Sequence, residues 1–191
     1  MLAEKRKGKY TLMSNHITTY TGKYFEPTNP DPDLIYIEDI AHALSLTCRG
    51  NGHMKTFWSV GQHCICCAKE ARERGLSDRM ILACLLHDAT ECYLSDIPRP
   101  FKQELPEYRE HEDHLFDLIC IKFLGSPLNR EEHRQLKEID NAMLWYDLTN
   151  LLSEKKIGEK PKIHIDMDYT VRPFKEVEEE YLKMFHSLVK N

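Results

Sequence analysis

The 191-residue chain lacks any apolar run that approaches the roughly 20 residues needed to span a bilayer. It also lacks an excess of basic residues, since 26 lysines and arginines stand against 31 aspartates and glutamates and the formal net charge is -5. A broad basic surface of the kind that binds nucleic-acid polymers is therefore not expected. The charged N-terminal segment has no apolar stretch behind it, which is not typical of a secretory signal. These absences predict a cytoplasmic protein that contacts neither a membrane nor a nucleic-acid polymer.

A pair of cysteine motifs with zinc-finger spacing is also missing. The only Cys-x-x-Cys motif runs from Cys64 to Cys67, and no second pair follows it. The chain contains seven cysteines, an odd number. They are interpreted as buried, reduced thiols on helices rather than as disulfides or a zinc finger.

The chain does contain strong helical periodicity, and its 41% apolar and 30% charged residues are typical of a globular protein. The spacing of apolar residues predicts helices over residues 38–46, 59–74, 78–91, 106–124, 130–152 and 173–189. Residues 34–37 and 163–166 are predicted to form a minor pair of strands. Residues 1–33, which end in a proline-rich segment, are predicted to be a partly irregular N-terminal extension. Residues 34–191 are then expected to form a single all-α domain, a compact helical bundle with at most a minor two-stranded β element.

The clearest chemical signal is the pair His87-Asp88, which follows seven consecutive apolar residues near the end of a predicted helix. Burying an imidazole and a carboxylate together is costly unless both are compensated. A divalent cation would compensate both, and this combination of nitrogen and oxygen donors suits manganese, iron, cobalt, nickel or zinc. Taken alone, the dipeptide is more often a hydrogen-bonded pair at a helix end. Glu91, expected on the same helix face as His87, and the nearby Asp96 favour a chemical role.

The segment resembles the HD-domain phosphohydrolases, in which a His, a His-Asp pair and a distal Asp hold the metal. Ser-Val-Gly-Gln-His at residues 59–63 is similar to the family's motif for the first ligand, with Gly-Gln in place of the usual Ala-Glu. Lys-Glu-Ile-Asp-Asn-Ala at residues 137–142 is similar to the segment that carries the last ligand. The resemblance implies an HD-domain helical bundle with one divalent metal ion (Mn, Co, Fe, Ni, Zn or Mg), held by His63, His87, Asp88 and Asp140.

The pattern His-Asp-x-x-Glu followed by Asp-Ile-Pro-x-Pro-x-Lys, over residues 87–102, resembles a narrower subgroup. This subgroup contains bacterial 5'-deoxynucleotidases and phage and bacterial phosphohydrolases of deoxynucleotides up to the triphosphate. The resemblance covers residues 37–152. It implies that Glu91 and Asp96 act around the attacking water and the leaving group, and that Lys102 contacts phosphate. Arg49 is the candidate for a further substrate contact, with His53 as a weaker one.

Gly50 departs from the subgroup, because the deoxynucleotidases have a tryptophan directly after the arginine at this point. Recognition of the base or the sugar is therefore expected to differ.

These features predict a metal-dependent hydrolase that removes phosphate from nucleotides or nucleotide analogues, from mono- to triphosphates, in the manner of a 5'-nucleotidase. The metal would bind a phosphate oxygen and lower the pKa of a water, while Lys102 and Arg49 offset phosphoryl charge. The partner would be a small-molecule phosphate ester, and a homo-oligomer is left open. One alternative is a non-catalytic protein that binds metal or nucleotide, which would need neither Glu91 nor Asp96. Another is a (p)ppGpp or cyclic-nucleotide hydrolase, which the short chain makes less favourable.

Overall fold

Helices dominate the computed structural model, which describes residues 15–155 and 158–189. A short antiparallel hairpin, β1 (Ile17–Thr18) and β2 (Tyr24–Phe25), comes first, and single 3-10 turns lie at Pro32–Leu34 and Arg49–Gly52. The α-helices are α1 (Ile37–Leu46), α2 (Val60–Glu73), α3 (Asp78–Leu86), α4 (Glu91–Leu94), α5 (Arg99–Lys102), α6 (Pro106–Leu124), α7 (Arg130–Leu151) and α8 (Phe174–Leu188). The predicted all-α fold with a minor two-stranded element is confirmed.

Local capping signals fix the ends of the longer helices. The Ser59 side chain accepts a hydrogen bond from the backbone of Gln62, whose own side chain accepts one from the backbone of Ser59. Asn129 and Glu132 form the same reciprocal pair at the start of α7. Each such cap stabilises a helix by roughly 0.5–2 kcal/mol. The C-terminal cap of helix α6 is Gly125, which adopts a left-handed conformation with φ 82°. A residue without Cβ does this at little cost.

Helices α2 and α3 form the centre of the fold. Every residue from Met80 to Leu86 in α3 is buried, as the uninterrupted apolar run predicts. Helix α2 packs against α1, α3, α7 and α8. The C-terminal end of α3, the middle of α7 and the N-terminal half of α2 therefore come together, and these segments carry the predicted metal ligands.

The predicted positions of the strands were wrong. Leu34 closes a 3-10 turn and Ile37 begins α1, while residues 163–166 form no strand. The 163–166 segment is instead held by Glu70 of α2, which accepts hydrogen bonds from the backbone N and the Nδ1 of His164 at 2.7 and 2.9 Å. The backbone N–H of His164 thus pairs with a side chain rather than with a neighbouring strand.

The observed hairpin lies within the predicted N-terminal extension. Residues 1–14 of that extension lie outside the described residues. Gly22, with φ 78°, allows the chain to reverse between β1 and β2. Phe25 is fully buried, and its ring stacks on that of Tyr93 with a centroid separation of 4.0 Å. The hairpin is thus anchored in the main core.

The longest helix within residues 15–155 and 158–189, α7, carries many charged residues. No helix in this described part combines the length and apolar character required to cross a membrane.

Candidate metal centre

His63 is completely buried on α2, and its two ring nitrogens face carboxylates. Its Nδ1 lies 2.9 Å from Oδ2 of Asp147. Because a carboxylate only accepts, Nδ1 is the donor, and Nε2 faces Asp140, whose Oδ1 is 3.4 Å away. A carboxylate that fixes the tautomer in this way is the usual neighbour of a metal-binding histidine.

His87 lies in a turn rather than within a helix. The prediction of one helix over residues 78–91 was wrong at this point, because α3 ends at Leu86 and α4 starts at Glu91. His87 Nδ1 lies 2.8 Å from the carbonyl oxygen of Cys84. In a continuing helix, the Cys84 carbonyl would accept a hydrogen bond from the backbone N–H of Asp88. The His87 side chain takes this place and so contributes to ending the helix.

The other nitrogen of His87, Nε2, is buried and makes no hydrogen bond with any group in residues 15–155 and 158–189. It lies 3.2 Å from Oδ2 of Asp88 and 3.8 Å from Oδ1 of Asp140. Burial alone would lower the pKa of His87, but Asp88 and Cys64 together outweigh this effect and raise the pKa well above its usual value. The position thus attracts positive charge, either a proton or a cation.

Asp88 and Asp140 supply the negative charge. Burial alone would raise the pKa of each carboxyl, yet the neighbouring His87 and His63 imidazoles hold both pKa values below their usual range. Asp140 turns Oδ2 towards Lys137 at 3.0 Å and leaves Oδ1 facing the imidazoles. At metal–ligand distances of roughly 2.0–2.2 Å, adjacent ligand atoms stand about 3.0–3.6 Å apart. The separations of 3.4 Å between His63 and Asp140, 3.2 Å between His87 and Asp88, and 3.8 Å between His87 and Asp140 lie close to that range, so the structure brings the predicted ligands together.

Two of the cysteines that the sequence analysis interprets as buried, reduced thiols lie beside the same imidazoles. Cys67 Sγ lies 3.5 Å from His63 Nε2. Ligand atoms of His63, Cys67 and His87 all lie within 4.8 Å of one another, and so do those of Cys64, His87 and Asp88. Burial raises the pKa of both thiols, which keeps them protonated when no metal is bound. These groups of His, Cys and Asp could hold a metal ion.

Arg49 braces the carboxylates from the loop before α2. Its Nη1 donates to Oδ2 of Asp88 at 3.0 Å, and its Nε lies 3.5 Å from Oδ2 of Asp147. Burial alone would lower the pKa of Arg49, but these two carboxylates raise it above its usual value. Tyr169 donates a further hydrogen bond, of 3.2 Å, to the other oxygen of Asp147. Arg49 was predicted to contact substrate, and in the structure its guanidinium holds acidic side chains of the site.

Sequence reasoning missed Asp147, which is fully buried. It follows Asp140 by seven residues, two turns later on the same face of α7. That spacing was the available signal. Without the fold, Asp147 could not be distinguished from an ordinary acidic residue on the surface of a helix.

Glu91 and Asp96 lie beside the acidic cluster, which is formed by the carboxylates of Asp88, Asp140 and Asp147. Glu91 is only 6% exposed, and its Oε2 has no hydrogen-bond partner in the described part of the chain. Burial, together with repulsion from Asp88 and Asp96, raises the pKa of Glu91 well above its usual value and favours the neutral acid. Asp96 accepts a hydrogen bond of 3.0 Å from the backbone N of Gly50. Gly50 has φ 58°, so a tryptophan at this position would be strained.

The remaining predicted substrate contacts are placed less centrally. Lys102 donates to Glu112 at 2.7 Å, and this contact occupies it within the structure. His53 is exposed and, among residues 15–155 and 158–189, its side chain makes no hydrogen bond or ion pair. Arg99 has a half-exposed side chain whose Nη2 lies 3.6 Å from Oδ2 of Asp140. The structure therefore places Lys102 and Arg99, rather than His53, near the acidic cluster.

Comparison with known proteins shows similarity to two bacterial proteins. The chain is 38% identical over 107 residues to the uncharacterized protein YfdR of Escherichia coli strain K12, covering 56% of this chain and 57% of that protein. It is 34% identical over 121 residues to the uncharacterized protein RCAP_rcc00048 of Rhodobacter capsulatus, covering 58% of this chain and 61% of that protein. The match thus spans less than two thirds of either relative. No protein-family model matches the chain.

Proposed function

We propose that the protein is a metal-dependent phosphohydrolase of the HD-domain type, which removes phosphate from nucleotides or related small phosphate esters. The observation that carries this proposal is the convergence of His63, His87, Asp88 and Asp140, from two helices and one turn, around a buried His87 nitrogen that makes no hydrogen bond within the described residues. Packing of the core does not require two imidazole nitrogens that face the same carboxylate oxygen. A cation bound between them would satisfy all four side chains at once.

These donors fit a borderline divalent ion such as Mn²⁺, Fe²⁺, Co²⁺, Ni²⁺ or Zn²⁺. When bound, such an ion would polarise a phosphate oxygen and lower the pKa of a water. The chain's own contribution is to hold the donors in place. Asp147 fixes the His63 ring, the Cys84 carbonyl fixes the His87 ring, and Arg49 positions Asp88.

Glu91 is suited to proton transfer. It is a buried carboxyl beside two other acids, and it holds a proton more readily than an ordinary glutamate. Such a group can donate to the oxygen of a leaving alcohol or phosphate. Asp96, which accepts a hydrogen bond from the backbone of Gly50, would receive a proton from the attacking water. A protein that only binds metal would need neither group.

The charge of the cluster implies an order of binding. Asp88 and Asp140 both have pKa values below their usual range, so both are ionised near neutral pH and repel other negative charge. An anionic phosphate would meet the same repulsion. The metal must therefore bind first, and Lys102 and Arg99 at the edge would then contact the phosphate. Inorganic phosphate should bind measurably to metal-loaded protein and not to metal-free protein in calorimetry.

The function is tested by a substrate screen with nucleoside mono-, di- and triphosphates in the presence of Mn²⁺, Co²⁺ or Mg²⁺. Released phosphate and polyphosphate are measured separately. Asp88→Ala and Asp140→Ala should each reduce turnover at least about 100-fold and lower the metal content. Asp113→Ala, which removes an exposed acid on α6, is the matched control and should behave as wild type.

Two outcomes would contradict the proposal. Asp88→Ala could retain both full metal content and full activity, which would remove Asp88 from the centre. Alternatively, metal-loaded protein could release no phosphate from any substrate in the screen, which would favour a metal-binding protein without turnover.

A further inference from the structure

A sulfur atom shares the two imidazoles with the carboxylates. Cys67 lies four residues after His63 on α2, so the two side chains occupy the same helix face. Its Sγ is 3.5 Å from His63 Nε2, and ligand atoms of His63, Cys67 and His87 lie within 4.8 Å of one another. Asp140 Oδ1 lies 3.4 Å from the first imidazole and 3.8 Å from the second. The two imidazoles thus have a sulfur donor and a carboxylate donor beside them.

The spacing fits coordination by nitrogen and sulfur together. With Zn–N near 2.0–2.1 Å and Zn–S near 2.3 Å, a tetrahedral site places adjacent N and S atoms about 3.5 Å apart. A thiol–imidazole hydrogen bond would also account for the contact between Cys67 and His63. It would leave His87 Nε2, a buried atom with no hydrogen-bond partner in the described residues, unexplained. A cation held by both imidazoles and by sulfur accounts for both observations.

We propose that the metal centre has a second, closed binding mode, in which a strongly thiophilic divalent cation such as Cd²⁺ is held by His63, His87, Asp140 and the thiolate of Cys67. This inference rests on the proposed function, because both modes use the same imidazoles. On binding, the S–H bond of Cys67 breaks, sulfur donates an electron pair to the cation, and the proton passes to water. No oxidation or reduction takes place.

The closed mode has a functional consequence. A tetrahedral ion with four protein ligands keeps no open position, unlike the ion of a catalytic zinc site. Water and phosphate are then excluded from the ion. Hard ions prefer oxygen donors and would remain in the open mode, whereas soft ions prefer sulfur. The centre therefore discriminates between ions, and thiophilic metals inhibit the hydrolase.

Cadmium binding to metal-free, full-length protein tests this inference without an activity assay. Binding is followed by sulfur-to-cadmium charge-transfer absorption in the ultraviolet and by proton release in weakly buffered solution. We expect one Cd²⁺ per chain, with the absorption present in wild type. Cys67→Ala should abolish it and weaken Cd²⁺ binding by about 100-fold, while Mn²⁺ binding changes by less than about threefold.

Two matched cysteine variants complete the design. Cys64→Ala removes the other thiol near His87, and Cys120→Ala removes a buried thiol on α6. Both should keep the absorption. Loss of the band in Cys64→Ala with retention in Cys67→Ala would overturn the assignment to Cys67.

The wild-type measurement decides the matter even if a variant fails to fold. Stoichiometric Cd²⁺ binding without charge-transfer absorption overturns the closed mode and leaves the metal centre in place. Binding of Mn²⁺ but not of Cd²⁺ has the same meaning. Failure of both ions to bind overturns the closed mode and the proposed function together.

Discussion

The hydrogen bond from His63 to Asp147 is the contact on which metal affinity is expected to depend most, after the ligands themselves. Asp147→Asn keeps the size of the side chain and removes its charge. Asp147 is fully buried and accepts from His63 Nδ1 at 2.9 Å and from Tyr169 Oη at 3.2 Å. An asparagine can turn its amide N–H towards Nδ1, which would move the His63 proton to Nε2. The nitrogen that faces Asp140 would then be unable to bind a cation.

The expected loss is 10- to 100-fold in Mn²⁺ affinity, which is the usual effect of removing the partner of a metal-binding histidine. This corresponds to roughly 1.4–2.7 kcal/mol. Stability should also fall by about 1–3 kcal/mol, because Arg49, 3.5 Å from Asp147, loses one of its two carboxylate partners. Tyr169→Phe removes only the outer hydrogen bond to Asp147. It is the milder control, with an expected loss in affinity of less than about fivefold.

Calorimetric titration of metal-free protein with Mn²⁺ measures the affinity, and urea unfolding measures the stability separately. Nitrogen NMR of the imidazoles reports the tautomer of His63, which a merely structural role for Asp147 would not change. The reasoning fails if Asp147→Asn binds Mn²⁺ as tightly as wild type while the protein remains folded. It also fails if affinity falls but His63 keeps its proton on Nδ1.

Three further predictions concern the scaffold. Glu70→Gln should lower stability by about 1–3 kcal/mol in urea unfolding at pH 7, because Glu70 accepts hydrogen bonds from His164 and Arg74. Burial alone would raise the pKa of Glu70, but these partners hold it below its usual value of 4.5, so the difference from wild type should be full above that pH and shrink as the pH falls further. Gly50→Ala should cost about 1–2 kcal/mol more than Gly52→Ala in thermal unfolding. Both glycines have positive φ, but of the two only Gly50 has a neighbour within 4 Å of an added Cβ, the Met54 methyl at 3.2 Å. Phe25→Ala should cost roughly 3–5 kcal/mol in urea unfolding, and Tyr24→Ala, at a site that is 67% exposed, should cost less than about 0.5 kcal/mol; equal losses would show that the hairpin is not anchored through Phe25.

Local patterns predicted much of the fold because helix formation depends on neighbouring residues. The predicted helix over residues 106–124 has the bounds of α6, and Ser59 begins α2 with the expected cap. The four predicted metal ligands also lie close together. In that case, the information came from motif resemblance rather than from periodicity. Apolar spacing places a histidine on a helix, and it does not specify which distant carboxylate the ring will face.

The features that were missed depend on competition between side chains and backbone. The apolar run into His87 predicted a continuous helix, but the His87 ring binds the carbonyl of Cys84 and the chain turns. Likewise, residues 163–166 have an alternating pattern that is typical of a strand. In the structure, however, Glu70, 94 residues before His164, accepts the hydrogen bond from the His164 backbone N–H that a partner strand would otherwise accept. Propensity describes the chain in the absence of such partners. Neither the turn nor the docked segment could be predicted without knowing which acceptors lie nearby.

Charge pairing accounts for the remaining differences at the site. The family resemblance implies that Lys102 contacts phosphate and that Arg49 contacts substrate. In the structure, each is already paired, Lys102 with Glu112 and Arg49 with Asp88. If either cation exchanged its carboxylate partner for phosphate, the gain in binding free energy would be only the difference between two similar ion pairs. Arg49 is the more deeply buried of the two, and withdrawing it would remove the hydrogen bond that Asp88 accepts from it, so its structural role is the harder one to replace. Lys102, at the edge, can change partners at lower cost. The substrate contact is therefore expected to fall on Lys102, and the integrity of the metal centre on Arg49.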